Sequence, residues 1–535
     1  MTLEHAIASL PWPMLLLGAL SLSIGWGIRG NFGHEYGAAL PGVLASLAVI
    51  LASNRPDWYA HAPYVAMFGA LGWSFGGSMS YMQVIGYTHS GHPLTTLYGY
   101  ANLFTIGFLW ASLGGGGAVL PLLITNKQLT LLFAPILTAV AGWSLQAVLV
   151  DWFFQKHRMR RQESPLYWND TDWVAALVAI ASALLIAIVR GGFDIGTWLV
   201  LDLALGWFLA FLILVNVFKL RMTPPRGDNW AGCVGLTAGF LLFAWHHNLN
   251  GVIFVTLLTG IFGGLAFSGG QMIKLLWIKT GWQTNWHSVM EQTQGFIFGL
   301  GFTITLGAFA FIAPSVATDP LPSWTLPLAL AFVFIGINYL NHRKSSLTWV
   351  EHVQTLTERP LGLPVAGWLR QSQGWFGWIE LFYLAITLVL CYTLYHHKTH
   401  PIALIPDTAL GKGQLLYLIF LWGIIVINFK RAIVTFAPHR LITEGLVTLN
   451  AIVCTFLVLT LLSNPLSIHS GSVTPWIEQS FWIGFFVSAI LLLVFFALTF
   501  VLFGKQHIPN AGLHIRFGPN ANATKAKPSA GHEHP

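Results

Sequence analysis

The run WVAALVAIASALLIAIVR, residues 173–190, is eighteen residues long, and its only charged side chain is the arginine at its end. At about 1.5 Å of rise per residue, a helix of this length reaches about 27 Å, which is enough to cross the hydrocarbon core of a bilayer. Similar runs recur from one end of the chain to the other. We therefore predict an all-α polytopic membrane protein with about fifteen transmembrane helices, at 10–28, 37–53, 62–86, 95–120, 129–150, 173–190, 196–218, 230–246, 250–273, 288–313, 325–341, 377–396, 413–429, 442–463 and 476–503.

The composition indicates a protein that is embedded in lipid almost throughout. Of the 535 residues, 55% are hydrophobic and 8% are charged, and the mean hydropathy is +0.66. Such a chain leaves almost no room for a soluble domain, so the lipid bilayer is its expected environment. The net charge of +7 does not indicate a nucleic-acid partner, because the basic residues are scattered through short connections. The three cysteines lie inside apolar runs, so we expect neither disulfides nor a metal site, and nothing indicates a cofactor.

The basic residues also predict how the chain is oriented. If residues 151–172 are cytoplasmic, strict alternation of the spans places 21 of the 26 Lys and Arg residues on the cytoplasmic side. Because short cytoplasmic loops are enriched in Lys and Arg, this predicts an inner-membrane protein with its N-terminus outside and its C-terminus inside. The span at 95–120 is the uncertain one, since the glycines at 114–117 could interrupt a helix. Residues 504–535 are polar and rich in Pro and Gly, and are predicted to form a disordered cytoplasmic tail.

Two pairs of segments indicate an internal duplication of six spans in parallel orientation. Residues 69–82 resemble 263–276, and residues 102–115 resemble 294–307, with an offset of about 192 residues. A partial third copy is suggested by 215–232 and 427–445. The alternative is that glycine-rich membrane helices resemble one another by composition alone. The predicted layout is six, six and three helices, at residues 1–195, 196–400 and 401–503.

Charge is concentrated in the stretch GWGIRGNFGHEYGAALPG, residues 25–42, which carries Arg29, His34 and Glu35. We predict a tight turn between the first two spans, with glycines that let backbones approach closely. Irregular backbone at membrane depth is tolerated where it is buried in protein or lines a wet cavity. The turn is therefore a candidate site for substrate binding or ion coupling. The alternative is an anchor at the membrane surface, with Arg29 paired to Glu35.

A second candidate site lies at the start of the predicted span 288–313. His287 and Glu291 are four residues apart and share a helix face, with Gln294 close to it. A carboxylate that enters a span is costly and usually faces the bundle interior, a partner or water. The corresponding span in the first copy begins with further polar side chains, among them His89, His92 and Asn102. The alternative is that these residues meet lipid headgroups.

These features predict a secondary transporter, driven by H⁺ or Na⁺, for a small polar or anionic organic solute. Arg29 could bind a carboxylate or phosphate, and Glu291 or Glu35 could carry a coupling proton. No P-loop is present, so ATP drive within the chain is not supported. The alternative is a membrane-embedded transferase or hydrolase that acts on a lipid-linked or headgroup substrate at the cytoplasmic face, so whether the protein is an enzyme stays open. A subunit of a larger complex is a third possibility.

Overall fold

The computed structural model describes residues 3–157, 172–222, 229–279, 285–337 and 405–460, apart from positions 31, 33, 34, 78, 80, 317, 318 and 435–439, together with scattered positions in 385–400 and at 490 and 493. The described chain is helical and contains no strand. Its helices are α1 (Leu3–Ala8), α2 (Trp12–Arg29), α3 (Glu35–Ala52), α4 (Pro56–Gly76), α5 (Met82–Tyr87), α6 (Pro93–Leu123), α7 (Asn126–His157), α8 (Asp172–Arg190), α9 (Ile195–Ala210, continued by a π-helical turn Phe211–Val217), α10 (Asn229–His246), α11 (Asn250–Ile278), α12 (Trp286–Ile312), α13 (Thr325–Ala331, continued by Phe332–Gly336), α14 (Ala409–Val434) and α15 (Arg440–Thr460).

Six of these helices are long and apolar enough to cross a membrane, namely α6, α7, α8, α9 with its π-helical turn, α11 and α12. The all-α membrane class is confirmed at this level. The count of about fifteen spans and the six, six and three layout stay predictions. The predicted spans 377–396 and 476–503 fall largely outside the described residues, and the tail 504–535 falls wholly outside them.

A closed ring of six helices forms the centre of the described structure. Around this six-helix ring, α2, α3, α4, α6, α11 and α12 follow one another in chain order, and α12 packs against α2 to close it. The ring consists of three antiparallel hairpins, α2–α3, α4–α6 and α11–α12. All three hairpins turn at the same end, which we call the hairpin end. The ring takes helices from both sides of the predicted boundary at residue 195.

Glycines allow the helices of the six-helix ring to pack with their backbones in contact. A Cβ on Gly107 of α6 would lie 2.2 Å from the carbonyl oxygen of Gly263 on α11. Where α2 crosses α12, a Cβ on Gly299 would lie 2.5 Å from the carbonyl oxygen of Gly18. Residues 114–117 do not interrupt α6, because these glycines pack against α4 and against α10 or α11 within a continuous helix. Small residues at such crossings are typical of membrane helices.

Large aromatic side chains fill the interior of the six-helix ring. The indoles of Trp26, Trp73 and Trp110 are fully buried, and their ring centroids lie 5.1–5.3 Å from one another along the contacts of Trp26. Phe267 of α11 packs against Trp26 and Trp110, and Phe298 of α12 lies 4.6 Å from Trp73. Edge-to-face contacts of this kind add to the stabilisation from burial. The ring is thus a packed core.

The remaining described helices surround the six-helix ring. Helices α7 to α10 pack mainly against one another, and α7 and α8 are largely exposed, as expected for surfaces that face lipid. Helices α14 and α15 pack against α2, α3 and α4. The predicted span 62–86 is wrong as a single helix. It is divided into α4, which ends at Gly76, and α5, which begins at Met82; the intervening Gly77 leaves room for the indole of Trp110, which a Cβ there would overlap.

An ion pair fastens the opposite end of the ring to the segment that follows α12. The Arg55 guanidinium binds both carboxylate oxygens of Asp57 at 2.6 and 2.8 Å. Arg55 also donates to the carbonyls of Ala310, Ala313 and Pro314, and Asp57 accepts from the amide of Val316. The Arg55 hydrogen bonds hold the pKa of Asp57 down, at about 2.

Candidate functional site

A buried ion pair joins α2 and α12 at the hairpin end of the six-helix ring. The Nη2 atom of Arg29, the last residue of α2, lies 3.0 Å from Oε1 of Glu291 in the second turn of α12. Tyr81, in the connection before α5, donates its hydroxyl to the same oxygen at 2.5 Å and accepts from Arg29 at 2.8 Å. Arg29 is 2% exposed and Glu291 is 3% exposed. Hydrogen bonds from two other segments therefore meet at one carboxylate oxygen of α12.

Gly30 makes room for this carboxylate. A Cβ on Gly30 would lie 2.3 Å from Oε2 of Glu291 and 2.9 Å from its carboxylate carbon. The backbone of Gly30 is helical, with φ −52° and ψ −23°. The glycine is therefore needed for space rather than for conformational freedom. Arg29 is also well placed at the end of α2, because the C-terminus of a helix favours a positive charge.

Three aromatic rings enclose the Arg29 guanidinium. Its Cζ lies 4.8 Å from the ring centroid of Trp26, 4.9 Å from that of Trp110 and 5.2 Å from that of Tyr81. The faces of aromatic rings attract cations, most strongly where water is excluded. Nε and Nη1 of Arg29 have no hydrogen-bond partner among the described residues. The guanidinium thus keeps two hydrogen-bonding nitrogens that are not engaged by the protein.

Two further basic side chains face Glu291. His287 lies one helical turn earlier on α12, with Nε2 3.6 Å from Oε1 of Glu291. Lys274 belongs to α11, is 1% exposed, and interacts electrostatically with both Glu291 and His287. Its Nζ has no hydrogen-bond partner in the part of the chain that the structure describes. We call Arg29, Tyr81, Lys274, His287 and Glu291 the charged cluster.

Buried amides from α11 and α12 flank the charged cluster. Gln271, one turn before Lys274, donates Nε2 to the hydroxyl of Thr88 at 2.8 Å. Gln294, one turn after Glu291, donates Nε2 to the carbonyl of Phe267 at 3.2 Å. Both side chains are fully buried, and the Oε1 atom of each has no donor among the described residues. These oxygens are therefore available to accept hydrogen bonds.

The structure brings together part of the predicted site. Arg29, His287, Glu291 and Gln294 are all buried or half-buried near one another. A surface anchor does not describe Arg29, because its side chain is buried and pairs with Glu291 of α12. His34 lies outside the described residues. Glu35 begins α3, and its side chain is likewise outside the description.

The polar residues predicted to form a second part of the site, at the start of α6, make hydrogen bonds within their own segment. His92 is the residue before α6, and its Nδ1 lies 3.3 Å from the hydroxyl of Thr95. Asn102 donates to the carbonyl of Tyr98 in its own helix at 2.7 Å. His89 directly follows Thr88, the partner of Gln271. Of these three predicted residues, only His89 is next in sequence to a residue that binds one of the two flanking amides.

Two members of the charged cluster were not predicted from the sequence. The predicted span 250–273 ends one residue before Lys274 and so assigns this lysine to a loop. In the structure α11 continues to Ile278. An ionisable residue within an apolar helix indicates function by default, so the longer span would have found it. Tyr81 lies in an irregular connection, and its sequence gave no signal of a contact with α12.

Comparisons with known proteins do not assign this chain to a family. No family model matches it. No curated protein matches it. No solved structure matches it. Within the described residues, no group of three or more His, Cys, Asp or Glu side chains could hold a metal ion.

Proposed function

We propose that this protein is a secondary transporter of the inner membrane that moves a small polar or anionic organic solute together with a proton. The observation that carries the proposal is the charged cluster, which is largely buried at the hairpin end of the six-helix ring rather than on its outer surface. Buried ionisable groups are costly in a membrane protein and are retained mainly at substrate and ion pathways. The outside N-terminus and the cytoplasmic position of the hairpin end are part of this proposal.

Competition for Arg29 provides a coupling mechanism. With Glu291 ionised, Arg29 Nη2 binds Glu291, and this ion pair connects α2 to α12. A proton on Glu291 removes its negative charge and weakens the ion pair. Arg29 can then bind an acceptor on the solute. His287, at 3.6 Å from Glu291, is placed to pass or hold the proton. We propose that the three hairpins then move relative to one another and open the site to the other side.

Sodium is the alternative coupling ion, and the charged cluster favours the proton. Na⁺ is usually held by several oxygen ligands. In the charged cluster, the only carboxylate already accepts hydrogen bonds from Arg29 and Tyr81 and faces two further basic side chains. Glu291 alone therefore does not offer the several free oxygens that Na⁺ needs, whereas a proton needs only one oxygen.

Gradient-driven uptake tests the proposal. The purified full-length chain is reconstituted into liposomes, and uptake of labelled small carboxylates, phosphates and sugars is measured with and without an imposed proton gradient. We expect uptake of one of these solutes to follow the gradient. Glu291→Gln should reduce the gradient-driven component by at least tenfold, because a glutamine cannot carry the proton. Glu4→Gln, an exposed carboxylate in α1, is the matched control and should behave as the parent protein.

The same experiment separates a transporter from an enzyme. A transferase or hydrolase would convert its substrate in detergent, without a membrane gradient. Uptake that is equal with and without the gradient, or a Glu291→Gln variant that couples as well as the Glu4→Gln control, would contradict the proposal.

A further inference from the structure

The charged cluster contains more positive than negative charge. Arg29 and Lys274 carry two positive charges when protonated, against one negative charge on Glu291. His287 adds a third positive charge when it is protonated. An unpaired charge buried in protein is strongly unfavourable unless it gains a partner. With Glu291 ionised, the cluster therefore carries a net positive charge, which favours the binding of an anion.

Among the described residues, Lys274 is the cationic member of the charged cluster whose charged group has no hydrogen-bond partner. Arg29 is already bound by Glu291 and Tyr81 and enclosed by three aromatic rings. The ammonium of Lys274 is 1% exposed and has no acceptor among the described residues, although it lies within electrostatic reach of Glu291. An ammonium offers three donors and acts as a compact charge that suits an oxyanion.

We propose that Lys274 is the primary ligand of the transported solute, and that this solute is a monocarboxylate. The inference rests on the proposed function and deepens it. One carboxylate replaces the single negative charge that a proton on Glu291 removes, and its second oxygen can accept from the free nitrogens of Arg29. The oxygens of Gln271 and Gln294 accept hydrogen bonds from a hydroxyl or amine on the same solute. A solute anion that enters with one proton leaves the total charge of the site unchanged, so transport is electroneutral.

Binding in detergent tests this inference without requiring transport. The full-length protein is purified in a phosphate-free non-ionic detergent, and its thermal unfolding midpoint is measured at constant ionic strength. The probes are sodium acetate, lactate and benzoate, with lactamide as a neutral analogue of lactate. A ligand that binds only the folded state raises this midpoint as its concentration rises. We expect at least one monocarboxylate to do so and lactamide to have no effect.

Variants of Lys274 identify the ligand residue. Lys274→Met should weaken the apparent affinity for that carboxylate at least tenfold, whereas Lys274→Arg should keep it within about threefold. Lys279→Met removes an exposed lysine from the residue that follows α11 and should leave the affinity unchanged. Lys274→Gln serves as a second neutral variant if Lys274→Met does not fold.

Several results would overturn the inference. One is a lack of response to all three monocarboxylates. Another is a response that survives in Lys274→Met and Lys274→Gln. A response to glycerol phosphate, but not to the carboxylates, would identify a lipid headgroup site instead. Carboxylate binding that depends on Lys274, without gradient-driven uptake, would leave the carboxylate site standing and refute the transport proposal. Gradient-driven uptake of a neutral or cationic solute that is insensitive to Lys274→Met would refute the inference and leave the transport proposal standing.

Discussion

The ion pair between Arg29 and Glu291 predicts strong energetic coupling between two residues that are 262 positions apart in the sequence. Removing one partner of a buried ion pair typically costs about 3–5 kcal/mol, because the other charge stays buried. We expect Arg29→Met to lower the free energy of unfolding by about 3–5 kcal/mol. The cation–π contacts with Trp26, Tyr81 and Trp110 are lost at the same time and contribute about 1 kcal/mol each.

A double-mutant cycle isolates the ion pair from these other losses. The cation–π contacts are lost equally in Arg29→Met and in the double variant with Glu291→Gln, so they cancel from the coupling energy. In the Arg29→Met variant, Lys274 remains near Glu291 and offsets part of the uncompensated charge of this buried carboxylate. We therefore expect a coupling energy of about 2–3 kcal/mol, somewhat below the cost of removing one partner of a buried pair.

Reversible unfolding in mixed SDS micelles, followed by tryptophan fluorescence, measures the cycle. The matched control is the more exposed pair Arg190 and Asp194, with side chains 27% and 18% exposed. The control cycle with Arg190→Met and Asp194→Asn should give about 0.2–1 kcal/mol. Additivity of the Arg29 and Glu291 changes within about 0.5 kcal/mol would refute the argument, since it would mean that the two side chains do not interact in the folded protein.

Two further predictions concern Gly30 and Asp57. Gly30→Ala should cost about 1–3 kcal/mol, because its Cβ would lie 2.3 Å from Oε2 of Glu291, and Arg29 and Tyr81 hold this carboxylate in place through its other oxygen, Oε1. In the control Gly269→Ala, no atom lies within 4 Å of the added Cβ, so this change should stabilise the protein by about 0.5–1 kcal/mol. Equal changes in the free energy of unfolding for the two variants, in the same unfolding assay, would contradict the close contact between Gly30 and Glu291. The pKa of Asp57 is lowered to about 2, from an ordinary 3.8, so its contribution of up to ~2 kcal/mol is complete above pH 4 and is lost as the pH falls toward 2. Acid unfolding of Asp57→Asn should lack this component, and identical pH profiles for the two proteins would show that the ion pair at this end adds no stability.

The sequence was most informative where one local rule decided the outcome. Apolar runs predicted the helices, since their length and composition alone favour a bilayer. Arg29 and Glu291 were found because ionisable side chains at the ends of apolar helices are rare. Their pairing was not predicted, because it depends on the crossing of α2 and α12. That crossing is made possible by glycines at 18, 295 and 299, and many other glycines in the chain look the same in sequence.

Polar residues on α6 show the limit of reasoning from sequence position. From sequence alone, Asn102 and Gln294 are equally good candidates for the site, since each lies about two turns into a helix at the same predicted depth. Asn102 is half-buried and binds its own helix, whereas Gln294 is fully buried against α11. The difference arises from the rotation of each helix about its axis. Helix rotation is set by packing against neighbours, and the sequence of one segment does not contain it.

The indoles at the centre of the six-helix ring have a consequence for the rate of the proposed transport. Trp26, Trp73 and Trp110 fill the interior of the ring, where an open conduit would have to run. Solute movement by the proposed mechanism therefore differs from the diffusion of ions through an open channel. Each turnover of the proposed transporter would have to displace large rigid side chains, so its rate should saturate with solute concentration and rise steeply on warming. Conductance measured across a planar bilayer should show no unitary steps.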